Sequence, residues 1–359
     1  MDCRGFDEQV ARQDSELHEL QREFVCVRFV KMNGVDLDRF RFDYDLTWAG
    51  IFLNADGTVY GRYGSRTVED PMINNSAAGL RATMRRVVEA HRAYRPDEAG
   101  RRPYKEKRGP PLPFSRPEEF PLLASRREVK SVTRQSCIHC HNVHEAIHDR
   151  ERSLEGRPRS VYKYPLPESI GLVIDPDSGQ RVAEVLAGSP AARAGLERGD
   201  EVLGLKGQAV FSIADLQFVL EHVPDETELE VELRRGDGRV KRKLSLSGPW
   251  RRTDFTWRTS LVGYPPSPEF YFRILEPEER EKAGVKAGAL ALAVEQLFDE
   301  AKGSGLRVGD VILSVDGRRE KMSGPGFRDY LRVHHLLERS PVRLEVLREG
   351  KVEAVEARF

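Results

Sequence analysis

The stretch Ala194-Gly195-Leu196-Glu197-Arg198-Gly199-Asp200-Glu201-Val202-Leu203 returns, at a fixed offset, as Ser304-Gly305-Leu306-Arg307-Val308-Gly309-Asp310-Val311-Ile312-Leu313. A turn glycine follows each copy, Gly207 or Gly317, and each copy closes on two strand-like runs joined around Arg235-Gly236 or Glu349-Gly350. Between them, helices are predicted over Ile213 to Leu220 and over Phe327 to Leu337. Self-similarity at a fixed spacing marks one supersecondary unit used twice. Residues 160–359 therefore read as a tandem repeat of small modules.

Within the first copy, Gly188-Ser189-Pro190-Ala191-Ala192-Arg193-Ala194-Gly195-Leu196 with Gly199-Asp200 predicts a short helix, a glycine turn and the start of a strand. Pro190 suits a first helical turn and Gly195 a left-handed cap. These residues resemble PDZ domains of the bacterial type, over roughly 165–247 and about 268–359. The resemblance implies partly open β-barrels with helices. It also implies that an extended peptide adds as an edge strand, its terminal carboxylate held by backbone amides. Ser169-Ile170-Gly171-Leu172-Val173-Ile174 is similar to that loop and strand, which makes Ile170, Gly171, Leu172 and Val173 candidate peptide-binding residues facing Ile213 to Leu220. The implied partner is a protein or peptide C-terminus. The second copy offers no equivalent loop: Pro265-Pro266-Ser267-Pro268 precedes Phe270-Tyr271-Phe272, and Glu276 to Gly284 is inserted. A packing or dimerising role is the alternative for both copies.

The 359 residues carry 58 Lys+Arg and 58 Asp+Glu, a formal net charge of +0, so no global field draws the chain to nucleic acid or anionic lipid. Hydrophobic residues at 39% and charged residues at 32% suit globular modules. No apolar run approaches the ~20 residues of a membrane span. The expected fold class is multidomain, α/β and α+β, with boundaries at 1–95, 96–160, 161–248 and 249–359.

The connector from Pro96 is broken by prolines and ends in Cys137-Ile138-His139-Cys140-His141. That spacing is the attachment signature of c-type haem: Cys137 and Cys140 would bond the vinyl groups and His141 would ligate the iron. Two alternatives stay open. One is zinc on Cys137, Cys140, His144 and His148; the other is a plain dithiol. The expected location is periplasmic or otherwise extracytoplasmic, inferred from the haem motif. Met1 is followed at once by Asp2, Cys3 and Arg4, with no signal peptide, which is at odds with covalent haem unless the start of the chain is missing. His144 and His148, at helical spacing, read as a solvated helix face.

Toward the N-terminus, Phe6 to Arg22 predicts an amphipathic helix and Phe24 to Val30 a buried strand holding Cys26 as apolar filler. A strand–turn–strand follows around Asn54-Ala55-Asp56-Gly57, then a helix over 76–93. This order resembles a thioredoxin fold lacking its first strand. The resemblance implies a resolving Cys3, an attacking cysteine or selenocysteine just upstream of Met1, and Thr47 where a cis-proline usually stands. The chain as a whole is similar to bacterial thioredoxin-like/PDZ fusion (seleno)proteins. The expectation is then an extracytoplasmic thiol-disulfide oxidoreductase or peroxidase-like protein with an electron-transfer partner. A non-enzymatic PDZ scaffold with a zinc or dithiol site is the alternative. No Gly-x-Ser-x-Gly is present, which sets a serine protease aside.

Overall fold

The computed structural model describes residues 15–46, 48–66, 73–106, 108–109, 111–126, 137–153, 163–251, 268–336 and 340–359. The chain divides into two compact units, Met1–Asp254 and Phe255–Phe359.

The first unit opens with helix α1 (Ser15–Gln21) and a hairpin of β1 (Gly50–Leu53) and β2 (Val59–Tyr63). The Asn54–Gly57 turn closes as its residues demand. Gly57 N–H donates to Asn54 O, and Thr58 N–H donates to Asp56 Oδ1. Helix α2 (Ala77–Ala93) starts at Ser76, whose hydroxyl oxygen accepts from Gly79 N–H at 2.9 Å. Leu80 and Met84 of α2 pack on Tyr63 and Leu17.

The buried strand expected over Phe24 to Val30 does not form. Val25 is 94% exposed, and Val27, Phe29, Val30 and Cys26 are exposed with it. β-propensity is expressed only where neighbouring strands and a covering layer receive the side chains. Among the described residues this region has a two-stranded antiparallel sheet and no strand beside that run. No thioredoxin-like sheet is seen, and that expectation for residues 1–95 is corrected accordingly.

The connector is more ordered than its prolines suggest. A short helix α3 (Glu98–Arg101) is followed by 3₁₀ turns at Pro117–Glu119 and Pro121–Arg126. Phe120 and Leu123 are buried while Leu122 stays exposed. They join Met32, Leu37, Tyr44 and Ile138 in a core that seats α4 (Cys140–Ser153).

The first repeat comprises β3 (Leu172–Ile174), β4 (Val182–Val185), α5 (Pro190–Arg193), β5 (Glu201–Leu205), β6 (Gln208–Ala209), α6 (Ile213–Glu221), β7 (Thr227–Arg235) and β8 (Gly238–Leu246). Strands β3 and β4 form a hairpin, and the larger sheet runs β6-β5-β7-β8. Their inward residues close a core around Leu205, Leu216, Val219, Leu229 and Leu244. The second repeat, in the other unit, comprises β9 (Phe270–Ile274), α7 (Pro277–Lys282), β10 (Leu292–Leu297), β11 (Val311–Val315), α8 (Gly324–Leu331), β12 (Val342–Arg348) and β13 (Lys351–Ala357). Its sheet runs β13-β12-β11-β10-β9.

The repeated Gly-Asp pair has the same job in both copies. Asp200 accepts from Glu197 N–H and takes both Nε and a terminal NH₂ of Arg235, which also donates to Gly195 O. Asp310 accepts from Arg307 N–H and takes Nε and NH₂ of Arg348, which also donates to Gly305 O. A nearly buried carboxylate, 1% exposed in each copy, thus pins the glycine turn to the end of the β7 or β12 strand. Removing the arginine strands that carboxylate without its counter-charge. Arg348→Ala is therefore expected to destabilise the second unit by about 3–5 kcal/mol. Arg235→Ala should cost less, because its side chain is 29% exposed against 11% for Arg348. Urea unfolding of both variants, read against the unsubstituted chain, checks the size and the order.

Candidate peptide-binding site

A 3₁₀ turn, Pro167–Ile170, delivers the chain to Gly171, which sits at φ 87°. A Cβ there would also run into the side chain of Ser189. The position therefore needs glycine for handedness and for space. Ser189 in turn caps α5, its hydroxyl accepting from Ala192 N–H at 3.1 Å. Beyond Gly171, the pleat turns Leu172 and Ile174 into the core and leaves Val173 half-buried. Ile170 and Leu172, expected to line an apolar pocket, are each 1% exposed and belong to the domain core. Among the described residues β3 bonds only β4, so its other edge is the one a peptide strand would join.

Helix α6 is the opposite wall, and residues Ile213 to Leu220 are all buried. Ile213, Leu216, Val219 and Leu220 face the domain core. The other sides are covered by the N-terminal half of the same unit. Arg62 of β2 donates its N–H to Asp215 Oδ1 at 2.8 Å and accepts at its carbonyl from Ser212 Oγ. The Arg62 guanidinium lies 3.6 Å from the centre of the Phe218 ring and pairs with Glu106. Its Nε donates to Arg41 O at 2.6 Å. Thr83 and Arg86 of α2 donate to Phe211 O, and Arg86 also donates to Ser178 O. The approach is close: a Cβ on Gly61 would lie 2.9 Å from Asp215 Oδ2 and 3.0 Å from Phe211.

Burial shapes the titration of two groups here. It raises the Asp215 carboxyl to about 7, opposed by Arg62 and by the N–H donors of Phe211 and Arg62. It lowers the His222 imidazole to about 4, with Arg41 and Arg62 adding to the push. His222 shares a 2.7 Å hydrogen bond with Phe218 O.

The sequence pointed to none of Arg62, Glu106, Asp215 or His222. One signal was available: Asp215 and Gln217 interrupt an otherwise apolar helix two residues apart, on different faces.

Elsewhere, Cys137 and Cys140 are half-buried and His141 is exposed, its ring stacked 5.5 Å from that of His139. Ile138 between them is fully buried, held by Asn33 and Met32. His144 and His148 are buried rather than solvated, and their Nε2 atoms lie 3.0 Å apart. Among the described residues no three His, Cys, Asp or Glu side chains converge to hold a metal, so the four zinc candidates do not form one ligand set. Cys3 and Thr47 lie outside the described residues.

In the second repeat, Phe272 of β9 packs edge-on against Phe327 of α8, and the inserted segment forms α7. Asp316, His335 and Ser340 stand in line, His335 Nε2 at 2.5 Å from Asp316 and Nδ1 at 3.3 Å from Ser340 Oγ. The Ser340 hydroxyl donates to His334 O, and Asp316 Oδ1 accepts from Arg343 N–H. The line ties the turn after β11 to the start of β12.

The PDZ domain family model matches residues 181–235. These residues are a PDZ domain. A probable periplasmic serine endoprotease DegP-like of Pseudomonas putida (strain GB-1) is 28% identical over 190 residues, covering 52% of this chain and 38% of the relative. The periplasmic serine endoprotease DegP of Escherichia coli (strain K12) is 41% identical over 64 residues, 18% of this chain and 13% of the relative. The chain therefore spans well under half the length of these curated relatives. Among solved structures, a serine endoprotease from Yersinia pestis is 24% identical over 22% of this chain and 28% of its own, with a TM-score of 0.20. The HtrA-type protease AlgW with decapeptide is 17% identical over 39% and 50%, with a TM-score of 0.22.

These relatives overturn the thiol-redox reading: they are named as periplasmic serine endoproteases. They also correct the exclusion of a protease relationship. Haem gains nothing from them and rests on the Cys137–His141 spacing alone. No helix among the described residues is long and apolar enough to cross a membrane.

The two buried titrations at α6 act in opposite directions. Asp215, raised from 3.8 to about 7, favours the folded state most at acid pH, and this is lost as pH rises toward 7. His222, lowered from 6.5 to about 4, favours it most above 6.5, and this is lost as pH falls toward 4. Each is on the order of 3–4 kcal/mol at full extent. Asp215→Asn should therefore leave a chain that is less stable at pH 4.5 than at pH 7, and His222→Gln the reverse. Thermal melts between pH 4 and 8 check both slopes.

Proposed function

We propose that this chain docks extended polypeptide segments through its first PDZ domain, outside the cytoplasm, in the handling of client proteins. The observation that carries this is the Gly171 turn with β3 behind it. The turn is left-handed, glycine-specific and placed ahead of a strand that pairs with one other strand among the described residues, just before the residues matched as a PDZ domain, 181–235. Backbone amides around such a turn can hold a terminal carboxylate, and the strand edge supplies the remaining hydrogen bonds. The extracytoplasmic location is supported by relatives named as periplasmic.

A second reading, hydrolysis of clients by the same chain, is favoured by the serine endoprotease relatives. A fluorophosphonate probe separates the two: labelling of a serine in the intact chain supports hydrolysis, and none supports docking alone. For docking, a displayed library of peptides with free C-termini is screened against the intact chain. Amidating the terminus of a captured peptide is expected to weaken binding by about tenfold or more, the scale of one charge-assisted contact. Captured peptides that bind equally well as amides would refute carboxylate capture at the Gly171 turn.

A further inference from the structure

We propose that the groove of the first PDZ domain is roofed in the resting chain by the chain's own N-terminal half. Access for an extended peptide then requires that half to lift from α6. The inference rests on the peptide-docking reading and concerns its regulation.

A peptide joining β3 must lie between that strand and the side of α6 turned toward the Pro167–Ile170 loop. The structure identifies that side. Gln217 Nε2 donates to Tyr164 O at 2.8 Å, and Glu221 Oε2 accepts from Tyr164 N–H at 2.7 Å, just ahead of the loop. Ala214 shares this side, one turn before. Ala214 and Gln217 do not face an open cleft. They share a water-sized space of about 10 Å³ with Leu46, Ala49, Tyr63 and Tyr164. The wall a ligand would use therefore already faces Phe42, Leu46, Ala49 and the end of β2 across that small space.

The fastening lies on the adjacent side of the helix. Arg62 binds Asp215 and Ser212 through its backbone and covers Phe218 with its guanidinium, which Glu106 neutralises. Thr83 and Arg86 add side-chain bonds to Phe211 O. Beside these polar contacts Phe211 packs with Tyr60, Val87 and Tyr104, so lifting the N-terminal half must break an apolar contact as well as the fastening. Loss of the fastening raises the open fraction, and apparent affinity rises by the same factor.

The test uses the full chain bearing Ala214→Cys, with exposed Cys26 as an internal reference for thiol reactivity. Maleimide labelling is read by peptide mapping and needs no ligand. A closed groove labels Cys at 214 about a hundredfold more slowly than Cys26, the protection of an opening near 3 kcal/mol. Adding Arg62→Ala should speed labelling at 214 by about tenfold or more and tighten capture of a free-carboxylate peptide from the library by a similar factor. Should Arg62→Ala lose its cooperative melt, Thr83→Val with Ser212→Ala weakens the same fastening more gently. Labelling at 214 as fast as at Cys26 in the otherwise unchanged chain overturns the roof. So does a fastening variant that melts normally yet alters neither labelling nor affinity. If no free-carboxylate peptide binds closed or loosened chain, the docking reading falls, while the labelling still judges the roof.

Discussion

Arg62 and Asp215 are the junction on which the first unit depends. Neither tolerates burial alone. A carboxylate inside protein needs donors and a counter-charge, and a guanidinium needs acceptors for its N–H groups. Here the backbone of one strand satisfies the carboxylate, the side chain of the same residue reaches an aromatic face, and Glu106 balances the charge. The hairpin, helix α2 and the connector are thereby held against a helix that would otherwise present a polar, solvated side. The cost of the arrangement shows in the titration, since Asp215 keeps its proton far above the usual carboxylate range.

How far the sequence was legible follows the range of the forces involved. The repeated Gly-Asp turns, the Ser189-Pro190 helix start and the Asn54–Gly57 hairpin are local solutions to backbone geometry, and all stand where the residues placed them. The loop at Gly171 was legible for the same reason. The Arg62–Asp215 junction was not. Its partners are 153 residues apart, and the one local hint, polar residues within the apolar Ile213–Glu221 helix, does not name Arg62 as the neighbour. His144 and His148 misled in the opposite direction. Their spacing fits a wet helix face, but the docking of the connector core against α4 buries them.

Resemblance was informative where it rested on backbone constraints and failed where it rested on element order. The PDZ reading drew on glycines and a proline whose conformations leave few options. The thioredoxin reading drew on a sequence of helices and strands, and one of those strands, Phe24 to Val30, is not formed. The relatives found for this chain lie on the protease side instead, over part of their length.

That unformed strand has a consequence of its own. Val25, Val27, Phe29 and Val30 face water in an unbroken β-forming run, with Arg28 inside it and Lys31 at its edge. Segments of this kind zip onto copies of themselves unless charge keeps them apart. Arg28 and Lys31 set positive charge on the run, and salt that screens such charge weakens the repulsion between copies.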